Sequence, residues 1–370
     1  MLALFSFGST KLARIMRLAV IGAVALGVVG IGGSVWANPP DENGNHNHGG
    51  GGGGGDDGGG GEPTGTVYFT TGGVFQGPLY TMNADGSNKT LVPGGILGEP
   101  SRALHGDQRW YLELRFIADE FYPDAGQRRE VFAVSESGAV VQLTDQPDLE
   151  PVPSVTFGAT RWTPDDARLS WVALQWDGDT GMPVDAGVYV AEVAYDPTSG
   201  DVIGLAAQPA DPMVPTAYVE DSSEVWRPLV RTHDWSPDET AIVYDTVDWE
   251  LFTADGATGQ SSLLLSTSKD AGWPVWSPNG SKIAFQYGQG GTATINPDGS
   301  REKTVFRGAD VPQWSPDGSH LIYGVFGSIF QDEQWDVYRT TAKGGARVNL
   351  TADLDTRFLS GTPTSPVAWR

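Results

Sequence analysis

The chain has 370 residues, enough for one large domain with a sizeable core, and its 50 glycines and 25 prolines favour many turns over long helices. A formal net charge of −23 repels phosphate, which excludes nucleic acid and anionic lipid headgroups as expected partners and leaves basic peptides and divalent cations. The absence of cysteine excludes disulfides, thiolate metal sites and a cysteine nucleophile.

Residues 1–37 have the pattern of a secretory signal peptide. Three basic residues and no acid precede an unbroken run of apolar and small residues at 18–35, and Val-Trp-Ala at 35–37 offers a cleavage site. The alternative is an uncleaved membrane anchor, but eighteen helical residues span only about 27 Å of a ~30 Å hydrocarbon core. We therefore expect cleavage and export to the periplasm or the extracellular space.

Residues 38–64 are predicted to form a disordered Gly-rich linker. The segment reads NPPDENGNHNHGGGGGGGDDGGGGEPT and contains no large apolar residue from which a core could be built. The remaining residues, 65–370, are predicted to form a single domain.

Within that domain a short string recurs. It reads WTPDD, WSPDE, WSPNG and WSPDG in its four clear copies. A degenerate copy starts at Leu104, and the last copy breaks off just after Trp369. Proline presets the second position of a turn, Asp bonds its own backbone and Gly accepts a positive φ, so the string reverses the chain between two strands. The large Trp side chains can fill a core between neighbouring units. A structural role is therefore predicted for Trp162, Trp235, Trp276, Trp314 and Trp369.

A second turn recurs between these strings, as NADGSN, SESGAV, TADGAT, NPDGSR and TAKGGA. It joins two further strands, so one unit has four strands, and radial repetition of such units builds a β-propeller. Six positions for the Trp give six blades. The chain starts with three strands, at 66–71, 79–82 and 90–92, and ends with one at 367–369, whose pairing would close the ring. The predicted fold is an all-β, six-bladed β-propeller of four-stranded antiparallel blades.

These strings resemble the repeats of the TolB-like propeller family, which carry W-S-P-D-G and L-Y-x-M-x-x-D-G-S-N. LYTMNADGSN at 79–88 and the strings at Trp276 and Trp314 match almost letter for letter, and the resemblance covers about residues 66–370. It implies the propeller fold and a place in the cell envelope. Proteins of the TolB type also carry an α/β domain before the propeller, where this chain has the Gly-rich linker.

The sequence offers no catalytic motif, so the predicted function is binding without catalysis. The aspartates of the turns bend the chain, and the serine-hydrolase elbow G-x-S-x-G is absent. His105, His233 and His320 fall at different registers relative to the Trp position, which argues against a shared metal site. The alternative function is a metal-assisted polysaccharide lyase or hydrolase that uses the channel histidines and acids.

A short acidic stretch resembles a calcium loop. Asp177 and Asp179 alternate with Gly178, and Asp185 follows, but the third alternate oxygen ligand and the distal Glu of a full loop are missing. We expect an acidic hairpin loop and no cofactor, with calcium as the alternative.

Strand direction divides the connections between two faces. Because the chain alternates up and down within a blade, the two tight turns share one face, and the second-to-third-strand and blade-to-blade connections share the other. The long insertions all belong to this second face, at 118–129, 176–187, 207–224, 327–334 and 352–364. They carry aromatic residues among acids, as interface hot spots do, at Phe121, Tyr122, Trp176, Tyr218 and Phe330. We predict that the protein is a monomer and that this long-loop face binds a basic protein or peptide. The alternative is that these aromatic residues only cap the channel of the propeller.

Overall fold

The computed structural model describes residues 63–71, 78–92, 100–102, 109–117, 128–145, 159–176, 183–220, 226–266, 270–288, 290–308, 310–326, 334–357 and 364–370. These residues form β-strands and turns. The predicted signal peptide and nearly all of the predicted linker lie outside them. Within the described ranges, no helix has the length and apolar character needed to cross a membrane.

Six of the antiparallel sheets that the described strands build are the blades of a β-propeller, as predicted, and a seventh has only two strands. Blade I contains β4 (Pro100–Arg102), β5 (Arg109–Ile117), β6 (Arg128–Ser135) and β7 (Val140–Gln142). Blade II contains β8 (Thr160–Trp162), β9 (Arg168–Trp176), β10 (Pro183–Tyr195) and β11 (Val202–Leu205). Blade III contains β15 (Val230–Trp235), β16 (Ala241–Thr246), β17 (Leu251–Asp255) and β18 (Ser261–Leu265).

The next two blades follow the same pattern. Blade IV contains β19 (Gly272–Trp276), β20 (Ile283–Gln286), β21 (Gly291–Ile295) and β22 (Lys303–Arg307). Blade V contains β23 (Asp310–Trp314), β24 (His320–Phe326), β25 (Trp335–Thr341) and β26 (Val348–Asn349).

Blade VI joins the two ends of the propeller. It contains β1 (Thr66–Thr71), β2 (Leu79–Asn83), β3 (Thr90–Leu91) and β27 (Thr364–Trp369), in the sheet order β27-β1-β2-β3. The ladder between β1 and β27 runs from Val67 opposite Trp369 to Thr71 opposite Thr364. The predicted closure is therefore confirmed, with β27 beginning earlier than the sequence pattern indicated.

In each blade the first strand lies innermost and the fourth outermost. The first strands β15, β19, β23 and β27 contact one another in turn. The second strands are largely buried, whereas the fourth strands expose large apolar side chains, among them Leu91, Val140, Ile203, Leu263 and Val348. The repeated Trp residues are the last residues of first strands, as predicted: Trp162, Trp235, Trp276, Trp314 and Trp369 end β8, β15, β19, β23 and β27.

The core consists of six apolar clusters, one at each interface between neighbouring blades. Trp162 of blade II, for example, packs in one cluster with Leu112 and Leu143 of blade I. The indole Nε1–H of Trp314 in blade V donates to the backbone oxygen of Val275 in blade IV at 3.1 Å. The repeated Trp thus attaches each of these blades to the one before it.

Trp276 departs from this pattern. We expected it to be buried like Trp314, but it is half-buried, whereas Trp314 is 8% exposed. Its indole Nε1 is enclosed and has no hydrogen-bond partner among the described residues. The repeat therefore fixes the position of the Trp more strictly than its degree of burial.

The second turn of a blade docks on the outermost strand of the preceding blade. Gly86 and Gly344 have φ values of 88° and 83°, in the left-handed region that glycine tolerates. A Cβ atom would lie 2.8 Å from the oxygen of Leu350 at Gly86, and 2.9 Å from the oxygen of Val305 at Gly344. Glycine is required at both positions, by conformation and by the close approach of two blades.

Two of the predicted long insertions are shorter or more ordered than expected. Within 207–224, β12 (Val214–Pro215) pairs with β10, and β13 (Tyr218–Glu220) pairs with β14 (Trp226–Pro228) in a two-stranded sheet outside the blades. In 176–187, β10 already begins at Pro183. The repeat pattern does not reveal these extra strands because they interrupt it.

Candidate functional site

On the face with the two tight turns, which we call the short-turn face, the turn aspartates bond within their own turns. In the turn after Trp314, the Oγ–H of Ser315 and the N–H and Oγ–H of Ser319 all donate to Asp317. The Ser315 hydroxyl first, and then the groups of Ser319, hold the pKa of Asp317 at about 2. The turn aspartates are occupied in shaping their own turns, as the sequence predicts.

Most of the predicted partner-binding residues lie outside the described residues. This holds for Phe121, Tyr122 and Phe330, and Trp176 is described only as the last backbone position of β9. Tyr218 is half-buried in β13, opposite Pro228 of β14. The two-stranded sheet that carries Tyr218 lies in the chain between blades II and III, in one of the blade-to-blade connections that define the long-loop face.

The predicted calcium loop is likewise described only in part. Asp177 and Asp179 lie outside the described residues, and Asp185 belongs to β10, opposite Gln175. Within the described part of the chain, no three His, Asp or Glu side chains are close enough to hold a metal ion. The question of calcium at Asp177, Asp179 and Asp185 stays a prediction.

The two described histidines lie in different blade interfaces. His233 lies on β15, is completely buried and bonds to blade II. Burial lowers the pKa of His233 to about 3, with a smaller contribution from the charge of Arg161. His320 lies at the start of β24, with its ring 6.4 Å from that of Trp369 in blade VI. His105 is outside the described residues. The structure therefore does not bring His233 and His320 into one pocket.

His233 is part of a buried network between blades II and III. Its Nε2 lies 2.7 Å from Ser170 Oγ, which also accepts the indole N–H of Trp235 at 2.9 Å. The Ser170 hydroxyl can donate to the backbone oxygen of Arg161 at 3.3 Å, which leaves its lone pairs for Trp235 and His233. A Ser-His contact of this length is also found in hydrolases. Here both side chains are fully buried, so no substrate reaches Ser170 and the network joins two blades.

The long-loop face carries a cluster of residues that the sequence analysis missed. Arg231 lies at the start of β15, with its guanidinium carbon 3.7 Å from the ring centre of Trp249 and 4.9 Å from that of Trp273. Its Nε and Nη2 donate to Oδ2 of the fully buried Asp245, at 3.0 and 2.5 Å. Gly272 completes the cluster, because a Cβ there would lie 2.7 Å from Arg231 Nη2. We call Arg231, Asp245, Trp249 and Trp273 the arginine cluster.

The two Trp residues of the arginine cluster have strained backbones. Trp249 and Trp273 have φ values of 63° and 48°. The left-handed conformation costs an ordinary residue roughly 1–2 kcal/mol, and such strain concentrates at functional sites. Trp249 and Trp273 lie outside the repeated string, but so do the buried Trp110, Trp171 and Trp335, so no signal in the sequence singles out the cluster.

No family model and no curated protein matches this sequence. Among solved structures, the chain is similar to TolB from Acinetobacter baumannii, with 14% identity over 84% of this chain and 67% of that chain, and a TM-score of 0.53. It is also similar to a TolB from Agrobacterium tumefaciens, with 16% identity over 78% and 89% of the two chains and a TM-score of 0.43. An oligogalacturonate lyase from Vibrio parahaemolyticus has 12% identity over 74% and 70%, with a TM-score of 0.43.

At these identities the similarity shows the fold alone. The chain is a six-bladed β-propeller whose structural neighbours include TolB proteins. Propellers serve as binding proteins and as enzymes, so the function has to be argued from the site.

Proposed function

We propose that this protein is an exported, non-catalytic β-propeller scaffold of the cell envelope, which binds a protein or peptide partner through its long-loop face. The supporting observation is the contrast between the two faces. The short-turn face consists of tight turns whose aspartates bond within the turn, whereas the long-loop face carries the arginine cluster and the additional sheet of β13 and β14. Ordering extra residues costs conformational entropy, and long irregular connections are commonly functional.

The net charge of the chain favours a basic partner. A formal charge of −23 creates a negative potential that attracts cationic surfaces and raises their association rate. Aromatic residues embedded among acids, such as Tyr218, then supply contact area that is desolvated on binding.

The proposal is tested by capture of the partner from an envelope extract on the purified protein. Alanine at Phe121, Tyr122, Trp176 and Tyr218 together should abolish capture, with a melting temperature nearly unchanged. The matched control replaces Ser137 and Lys343, exposed residues of the short-turn face, and should capture like the wild type. Loss of capture in the control but not in the fourfold variant would reverse the assignment of the faces. Export is tested on the same material, since cleavage leaves a mature chain that begins at Asn38.

A further inference from the structure

We infer that Arg231 anchors a carboxylate-binding site on the long-loop face, walled by Trp249 and Trp273, and that the peptide partner presents one carboxylate to it. The inference deepens the proposed function and rests on it. It goes further in naming the chemical group that the partner must supply.

Asp245 uses only some of the hydrogen-bond donors of Arg231. A guanidinium has five N–H groups, arranged as a side edge and an end fork. Asp245 occupies the side edge, where Nε and Nη2 both donate to Oδ2. The end fork, formed by Nη1 and the other N–H of Nη2, makes no hydrogen bond to any residue that the structure describes. Two parallel N–H groups in a plane are the geometry that holds a carboxylate in a bidentate manner.

The members of the arginine cluster differ in their exposure to solvent. The side chain of Arg231 is 14% exposed and Trp273 is half-buried, whereas Asp245 is fully buried and Trp249 is 5% exposed. Trp273 is thus the more exposed of the two walls, and the inference places the approach of the ligand on its side. Because most of the guanidinium is enclosed, water competes less strongly for the end fork than it would at an exposed arginine.

The backbone conformation of the two walls is unusual for tryptophan. Trp249 and Trp273 hold left-handed conformations in which Gly or Asn would be less strained. At Trp273 this conformation is a feature of the blades, because Val311, which also lies three residues before the repeated Trp, has it too. Trp249, whose ring contacts the same guanidinium, stands at a turn position where blade IV has Gly290, so the Trp there carries strain that a Gly would not. Strain of this kind clusters at ligand sites.

The charge around the site is compatible with a partner that is basic overall. Asp248, Glu250 and Asp270 lie close in sequence to Trp249 and Trp273, so the fork is a local positive group in an acidic region. The acids attract a basic segment, over roughly 8 Å at physiological ionic strength. The end fork then fixes the register of that segment by taking its single carboxylate.

A competing explanation is that Arg231 only neutralises the buried Asp245. In that case lysine at position 231 and a small side chain at position 273 would leave ligand selection unchanged. The two explanations therefore differ in the outcome of binding measurements on the variants.

The experiment uses immobilised libraries of acetylated hexapeptides as probes, with the purified full chain in solution. One library carries Asp and Glu and a free C-terminus, and its matched neutral library carries Asn and Gln and a C-terminal amide. Two further libraries carry only the side-chain acids or only the terminal carboxylate, and distinguish the two sources. We expect the wild type to favour a carboxylate-bearing library at least tenfold over the neutral one.

Two variants test the site, and a third is the control. Arg231→Lys keeps the charge but loses the fork, and Trp273→Asn removes a wall at a φ that Asn tolerates, so Trp273→Asn should fold normally. Both should lose the tenfold selection. Arg168→Lys is the matched control, because Arg168 lies 4.9 Å from the ring centre of Trp235 and pairs with Glu239 on the short-turn face. It should keep the selection.

The inference would be overturned if the wild type showed no preference for carboxylate-bearing peptides, or if Arg231→Lys and Trp273→Asn both kept the full tenfold preference. It would also be overturned if the wild type bound an acidic oligosaccharide and none of the peptide libraries. If capture from envelope extract depends on the long-loop face but carboxylate selection is absent, the proposed function stands and this inference is wrong. If capture does not depend on that face, the proposed function is wrong, whatever the libraries show.

Discussion

At the scale of single residues, His233 links acidity to the stability of the ring. Its pKa is about 3 in the native protein and about 6.5 in an unfolded chain. Between these values the unfolded chain binds a proton that the native chain does not, so stability is lost as the pH falls from about 6.5 to about 3. The variant His233→Gln has no titrating ring and should lose less stability over this range, measured by urea denaturation from pH 7 to pH 4.

The control for this prediction is Ser170→Ala. It leaves the indole N–H of Trp235 without its acceptor and should cost about 1–3 kcal/mol. Because His233 stays buried and neutral, the dependence on pH should remain as steep as in the wild type. An equally steep dependence in His233→Gln would show that other groups control acid unfolding.

The repeated tryptophans should differ in their contribution to stability. Trp314 is buried and donates a hydrogen bond to blade IV, so Trp314→Ala should cost about 3–5 kcal/mol of unfolding free energy. Trp276 is half-buried and its indole N–H has no described partner, so Trp276→Ala should cost less. Denaturant titration of both variants measures the difference. A larger loss at Trp276 would contradict this account of how the Trp joins two blades.

At the scale of the strand, β27 supplies the innermost position of blade VI. Deletion of residues 365–370 should leave the backbone groups of β1 unpaired and the clusters around Val67 and Ala368 incomplete. The shortened protein should aggregate or melt far below the full chain in calorimetry. A synthetic peptide of residues 364–370, added in trans, should raise its melting temperature, whereas a peptide with the same residues in scrambled order should not. Melting within a degree or two of the full chain would show that closure does not depend on this strand.

Strands were predictable wherever the repeat is regular. The string that begins at Trp235 or Trp314 encodes its own turn through Pro, Asp and Ser, so local chemistry specifies the end of one strand and the start of the next. The strands β12, β13 and β14 were not predictable in this way, because their partners are set by packing beside β10 and by each other. The half-buried state of Trp276 also depends on neighbours in another blade, which its own string does not contain.

At the scale of the whole molecule, the repeat specifies the ring and the departures from it specify the site. Sequence alone assigned the connections to two faces, because strand direction follows from counting strands. It did not find the arginine cluster, whose members come from β15, β16, the turn before β17, and β19. Only the folded ring brings these two blades together.

The pairing of β1 with β27 also sets an order of events during synthesis. About 290 residues separate Thr71 from Thr364, so the first three strands of blade VI leave the ribosome or a translocation channel long before their fourth. Contacts between distant parts of a chain form slowly, because the loop between them must first be closed. Until then the inner edge of β1 is an open strand that can pair with another chain. A cell that makes this protein therefore has to protect that edge, by a chaperone or by a low concentration of unfinished molecules, until β27 arrives.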